Sequence, residues 1–203
     1  MIFDFNGTII DDVMLGVYCI NELCARYLDR KPLDKEEYTH VFTFPVKHYY
    51  ERVGFDFSVQ DWDEVANAWV KIYNAHRDLY HLYSGVIERL RKNREESIEN
   101  VLLSATEQGM LEDQLAELGI REYFDTVLGT SDIYARSKVP VIQNFMKDRD
   151  PKECLLVGDT LHDLDVAKSV EVPCILIANG HQARDVLEKE WKDVIGDIRE
   201  LTI

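Results

Sequence analysis

Four short apolar runs punctuate the chain: "MIFDF" (residues 1–5), "NVLLSA" (100–105), "CLLVGD" (154–159) and "PCILIA" (173–178). A weaker fifth, "FDTVLGT", covers 124–130. Aliphatic and β-branched residues follow one another here without alternating with polar ones. That is the pattern of strands covered on both faces in a parallel sheet. Between the runs, apolar residues return at helical spacing. "EQGMLEDQLAELG" puts Met110, Leu111, Leu115 and Leu118 on one face and stops at Gly119. "SKVPVIQNFMK", "HDLDVAKSV" and, last, "HQARDVLEKEWKDVI" read as further helices. The alternation predicts an α/β fold, a Rossmann-like parallel sheet with right-handed crossovers.

Residues 13–83 break that rhythm. They carry four helical patterns rich in Tyr and Trp and no convincing strand, and "SGVIERLRKN" (84–93) then resumes the α/β pattern. The expectation is an α/β core domain made of 1–12 and 84–203, with a helical cap domain inserted at 13–83.

Composition narrows the partners. With 203 residues, 46% of them hydrophobic, the chain can fill one core and a smaller insertion. Its 38 acids against 23 bases leave a formal charge of −15, which argues against nucleic acid as a partner. A local positive pocket for a small anion remains open, and acidic clusters suit a divalent cation. No run approaches the roughly 18 apolar residues of a membrane span. The first residues include Asp4 and no basic start, unlike a signal peptide. Cys19, Cys24, Cys154 and Cys174 show no CxxC spacing and read as reduced residues of a cytoplasmic protein.

Candidate chemistry collects where parallel sheets place it, at the C-terminal ends of strands. The first run delivers Asp4, then Asn6, Gly7 and Thr8. The second delivers Ser104 and Ala105. Lys138 opens a later helix, and 154–159 delivers Asp159, followed by His162 and Asp163. Asn6-Gly7 is also a hairpin signal, but a hairpin explains none of this convergence. The group suits phosphoryl transfer through a covalent intermediate. Asp4 can attack phosphorus, Asp4 and Asp159 can share Mg²⁺, Ser104 and nearby N–H groups can bind oxygens, and Lys138 can balance charge. Gly7 lets the backbone approach a phosphate. Asp11 and Asp12 read as caps of the first inserted helix.

"DFNGT", "LLSAT", Lys138 in "RSKVPV" and "VGDTLHD" together resemble the four ordered motifs of the haloacid dehalogenase-like hydrolases, in their helical-cap, phosphoglycolate phosphatase-like branch. The resemblance spans nearly the whole chain. It implies a Mg²⁺-dependent phosphatase of a small phosphorylated metabolite acting through an aspartyl phosphate. Asp4 would be nucleophile and metal ligand, and the Asn6 carbonyl and Asp159 further ligands. Asp163 would steady a metal-bound water, and Ser104 and Lys138 would hold the phosphoryl group.

Position 6 departs from the family pattern, in which an Asp there protonates the leaving alcohol and activates water. An amide cannot do so, and a general acid–base group is worth roughly 10²–10⁴ in rate. Several alternatives follow. The enzyme is slow, or it takes acyl or aryl phosphates, or His162 or a cap residue supplies the proton. Otherwise the chain is a phospho-ligand-binding or regulatory protein, or Asn6 is an introduced substitution. Dehalogenation is disfavoured by the intact "GDTLHD". On this reading Asn6→Asp raises turnover.

Overall fold

A computed structural model describes residues 1–134 and 137–202. The elements run β1 (Ile2–Phe3), β2 (Ile10–Asp11), α1 (Val13–Tyr27), α2 (Lys35–Val41), α3 (Val46–Val53), α4 (Trp62–Ala75), β3 (His81–Leu82), α5 (Val86–Glu95) and β4 (Val101–Glu107). They continue with α6 (Gln108–Glu117), β5 (Thr126–Thr130), α7 (Val139–Phe145), β6 (Leu156–Gly158), α8 (Leu161–Lys168), β7 (Cys174–Ile177), α9 (Arg184–Glu190) and β8 (Val194–Ile195).

Six strands form one sheet in the order β5-β4-β1-β6-β7-β8, every pair parallel. The non-alternating apolar runs have the expected cause, because the sheet is covered on both sides. Phe3, Leu102 and Val157 point into one buried cluster, while Ile2, Val101, Leu103 and Leu156 point into the other. The chain leaves β1 for β4 and β5 on one side, then crosses to β6, β7 and β8 on the other. The crevice beyond the C-terminal ends of β1, β4 and β6 is therefore a topological switch point.

The helices α1 to α4 hold a third apolar cluster, built on Val13, Ile20, Tyr38, Tyr49, Tyr50 and Val65. Helix α1 is shared: Leu15 and Cys19 pack into the sheet-side cluster with Phe5, Tyr73 and Tyr80. Local signals set the helix starts. Asp34 and Glu37 form a capping box on α2, and the Asp61 carboxylate accepts from the Glu64 N–H on α4.

The structure differs from the sequence expectation in two places. The stretch 13–83 does contain a strand, since β3 pairs antiparallel with β2 (Ile10 opposite Leu82, Asp11 opposite His81) and ties the two ends of the helical segment together. The final helical pattern ends at Glu190, and Val194–Ile195 forms an edge strand on β7. Strands of two residues carry no periodicity, so only pairing reveals them. Asn6-Gly7 does form a turn, with Gly7 at φ +73° and its N–H 3.0 Å from the Ile10 carbonyl. The strands around it belong to different sheets, so no hairpin results.

Candidate active site

The switch-point crevice is lined by Asp4, Asn6, Ser104, Ala105, Lys138 and Asp159. Asp4 stands one residue past β1, where its N–H extends the ladder to the Val157 carbonyl at 2.8 Å. Lys138 caps α7 and is 2% exposed. Its Nζ bridges Asp4 Oδ1 and Asp163 Oδ1, each at 2.6 Å. The other Asp163 oxygen accepts from the Thr160 N–H (3.0 Å) and the Thr160 hydroxyl (2.7 Å), so the first turn of α8 aims this carboxylate. Asp159 Oδ2 accepts from the His181 N–H at 2.6 Å, and Oδ1 from the Thr8 hydroxyl at 3.3 Å. Close approach explains Gly7: a Cβ there would collide with the Asp159 carboxylate, and its positive φ would be strained.

Three buried carboxylates, Asp4, Asp159 and Asp163, present oxygens within 4.8 Å of one another. One ammonium cannot balance them. Burial pushes the Asp4 carboxyl well above its ordinary value; Lys138 opposes that, while Asp163 and Asp159 add to it. Burial lifts Asp159 to about 6 against the pull of His181. Burial also works against Asp163, but Lys138 outweighs it and holds this carboxyl below the usual range. Lys138 is driven up in turn, because Asp163 and Asp4 overcome the cost of its burial. A hard divalent cation among these oxygens would supply the missing charge, so the donor set fits Mg²⁺.

Ser104 lies in β4 where its register with β5 slips between Leu103 and Glu107. Its hydroxyl donates to Thr106 Oγ1 (3.0 Å) and accepts from the Thr106 N–H (3.1 Å). Ala105 is half-buried beside it. The Gly7 N–H is directed at Asp12 Oδ1, 3.0 Å away. His162 stacks on Phe44 at 4.5 Å, its Nε2 has no partner among the described residues, and burial together with Lys138 lowers it to about 4.

Asn6 is the node of a second network that sequence reasoning missed. Its Nδ2 donates to Asp12 Oδ2 (2.8 Å) and to Tyr73 Oη (3.0 Å), while its Oδ1 accepts from the Thr106 hydroxyl (3.2 Å). The Tyr73 hydroxyl also donates to Asp12 Oδ2 at 2.9 Å, and His181 Nε2 lies 3.0 Å from Asp12 Oδ1. Tyr38 closes the chain at His181 Nδ1, 2.8 Å away. Asp12 does occupy the N-cap position of α1, but its side chain makes no capping bond. Instead this 2%-exposed carboxylate organises the loop. Burial opposes its ionisation; His181, Asn6 and Tyr73 outweigh that and hold it below the ordinary value. Asp12 in turn raises His181 to about 9 despite burial. His181 lies beyond the end of β7 (Cys174–Ile177), and no motif around it marks it.

The comparisons agree with this architecture. The profile of a family described as "Haloacid dehalogenase-like hydrolase" matches residues 1–177. The chain is 25% identical over 211 residues to a phosphoglycolate phosphatase of Pseudomonas fluorescens (strain Pf0-1), covering 99% of this chain and 77% of that protein. It is 25% identical over 201 residues to a putative pyrophosphatase PpaX of Caldanaerobacter subterraneus subsp. tengcongensis, covering 95% and 87%. Among solved structures, a putative haloacid dehalogenase-like hydrolase from Bacteroides fragilis superposes with TM-score 0.79 at 15% identity, covering 99% and 98%. A mutant of CbbY from Rhodobacter sphaeroides, in complex with xylulose-(1,5)bisphosphate, gives 0.76 at 20% identity, covering 98% and 94%. No described helix is long and apolar enough to cross a membrane. With its parallel sheet, its acidic triad around Lys138 and this match over most of its length, the chain belongs to the haloacid dehalogenase-like hydrolase family.

Proposed function

We propose that the protein is a Mg²⁺-dependent phosphatase of a small phosphorylated metabolite, working through an aspartyl phosphate on Asp4. The observation that carries this reading is Asp4 at the switch point, gripped by Lys138 and flanked by Asp159 and Asp163. Asp4, Asp159, Asp163 and the Asn6 carbonyl would hold the ion, which supplies charge neutralisation for an incoming phosphate. Asp4 attacks phosphorus, its Oδ–P bond forms, and the bond to the leaving oxygen breaks. Water then attacks the same phosphorus and releases phosphate and free Asp4. Lys138 orients Asp4 and offsets the charge that gathers there, while Ser104, Ala105 and the Gly7 loop surround the transferring oxygens. The α1–α4 segment acts as a cap that walls the crevice and excludes water.

Intact mass and phosphate release, measured together with acetyl phosphate and an aryl phosphate, test this. Steady release that disappears in Asp4→Ala supports the reading. A persistent one-phosphoryl mass gain with little release favours the second reading, a phospho-ligand binder, which the amide at position 6 motivates. If Asp4→Ala releases phosphate as fast as the parent, the nucleophile assignment is wrong.

A further inference from the structure

The crevice above Asp4 is walled by rings. Trp69 stacks on Tyr73 at 4.8 Å and 24°, and Tyr73 reaches Asn6. Phe42 stacks on His181 at 5.0 Å and 28°. Phe44 and Trp62 extend the lining outward. The cavity has a volume of about 150 Å³. Among the described residues the lining holds one Lys or Arg, Lys138, and that is committed to Asp4 and Asp163. Glu107 adds a carboxylate. The walls thus suit a flat apolar body.

Position 6 points to the same chemistry independently. Both Asn6 Nδ2 hydrogens face Asp12 and Tyr73, and an amide carries no transferable proton. An alkoxide needs a proton to leave, whereas an aryl oxide, with a conjugate acid of pKa about 10 like tyrosine's, does not.

We infer that the substrate is a small aryl phosphate monoester. The inference rests on the phosphatase reading above and assigns its substrate class. The Asp4 Oδ–P bond forms as the aryl O–P bond breaks, the electron pair departs on the phenolate, and solvent protonates it. Water then cleaves the acyl phosphate to free phosphate and Asp4.

The test compares kcat/KM for 2-naphthyl phosphate, acetyl phosphate and 2-phosphoglycolate, with Mg²⁺, in the parent, Trp69→Ala and Trp69→Phe. Naphthyl phosphate is expected to lead both others by about tenfold or more, although acetate is the better leaving group. Trp69→Ala should cut the naphthyl-to-acetyl ratio about tenfold, mainly through KM, and Trp69→Phe should restore most of it. Ratios within one variant cancel any loss of folded protein. A preference for phosphoglycolate or acetyl phosphate, or a ratio unmoved by Trp69→Ala, overturns the aryl assignment and leaves the phosphatase standing. No Asp4-dependent release from any of the three overturns both.

Discussion

Asn6→Asp looks from the sequence like the repair of a missing acid. The hydrogen bonds around Asn6 lead to a different expectation. The new carboxylate would sit where Asn6 Nδ2 now lies 2.8 Å from Asp12 Oδ2, in a site where Asp12 is 2% exposed. Two donor hydrogens would be lost, leaving Asp12 and Tyr73 each short of a partner. At that separation two like charges repel by about 6 kcal/mol with an effective dielectric of about 20. The pair avoids part of this by taking up one proton, which costs about 4 kcal/mol at pH 7 for an ordinary carboxyl. Sharing that proton recovers some of the loss, so the net destabilisation is about 2–4 kcal/mol. For a chain of this size that lowers Tm by roughly 5–15 °C.

The sign of the pH dependence follows. The carboxyl pair in the folded variant has one pKa raised above its unfolded value, so the variant regains stability relative to the parent as pH falls. The gain is about 1.4 kcal/mol per unit until the pH nears the unfolded value of about 4. The exchanged pair, Asn6→Asp with Asp12→Asn, again opposes one amide to one carboxylate but takes the carboxylate from His181, so its Tm should return only part of the way to the parent's. Only in that background should a carboxyl at position 6 raise turnover on an alkyl phosphate, by tenfold or more. The assays are thermal unfolding at pH 5, 6 and 7 and steady-state phosphate release. An Asn6→Asp protein with parental Tm and raised turnover at pH 7 would refute the reasoning.

Three further outcomes are expected. Lys138→Met leaves Asp4 and Asp163 buried without their shared cation and should cost about 3–5 kcal/mol, read as a shift in the urea midpoint; an unchanged midpoint would show that the carboxylates are neutral or solvated. Mg²⁺ at about 100 times its Kd should stabilise the parent by about 2.7 kcal/mol, and Asp159→Asn should remove most of that; equal stabilisation of both proteins would place the ion elsewhere. Gly7→Ala drives a Cβ into the Asp159 carboxylate at φ +73°, so Mg²⁺ stabilisation and turnover should fall together, while a variant with parental Mg²⁺ response would contradict the packing described.

Much of the molecule was legible in its sequence because the relevant physics is local. Non-alternating aliphatic runs announce strands buried on both faces, and Ile2 and Phe3 do point into opposite clusters. Helical spacing placed α6 and its stop at Gly119, whose φ is +66°. Strand ends in a parallel sheet meet at one edge, so Asp4, Ser104 and Asp159 were predictable neighbours before any coordinate was known. Two-residue strands such as β3 and β8 escaped, because their only signature is the partner they pair with.

The second network was beyond the sequence for a similar reason. Asp12 next to a helix start has a local explanation as a cap, and nothing along the chain ranks Tyr73 or His181 as its partners. They lie 61 and 169 residues away and reach it only when α4 and the loop after β7 close over the same crevice. Sequence alone carried the sheet, through the periodicity of its apolar runs, and the family, through the resemblance of four ordered motifs. Tertiary packing decided that the amide at position 6 is matched to a buried carboxylate, and that rings wall the pocket. Hydrogen-bond complementarity and enclosure are properties of groups brought together in space, and chain order does not encode them.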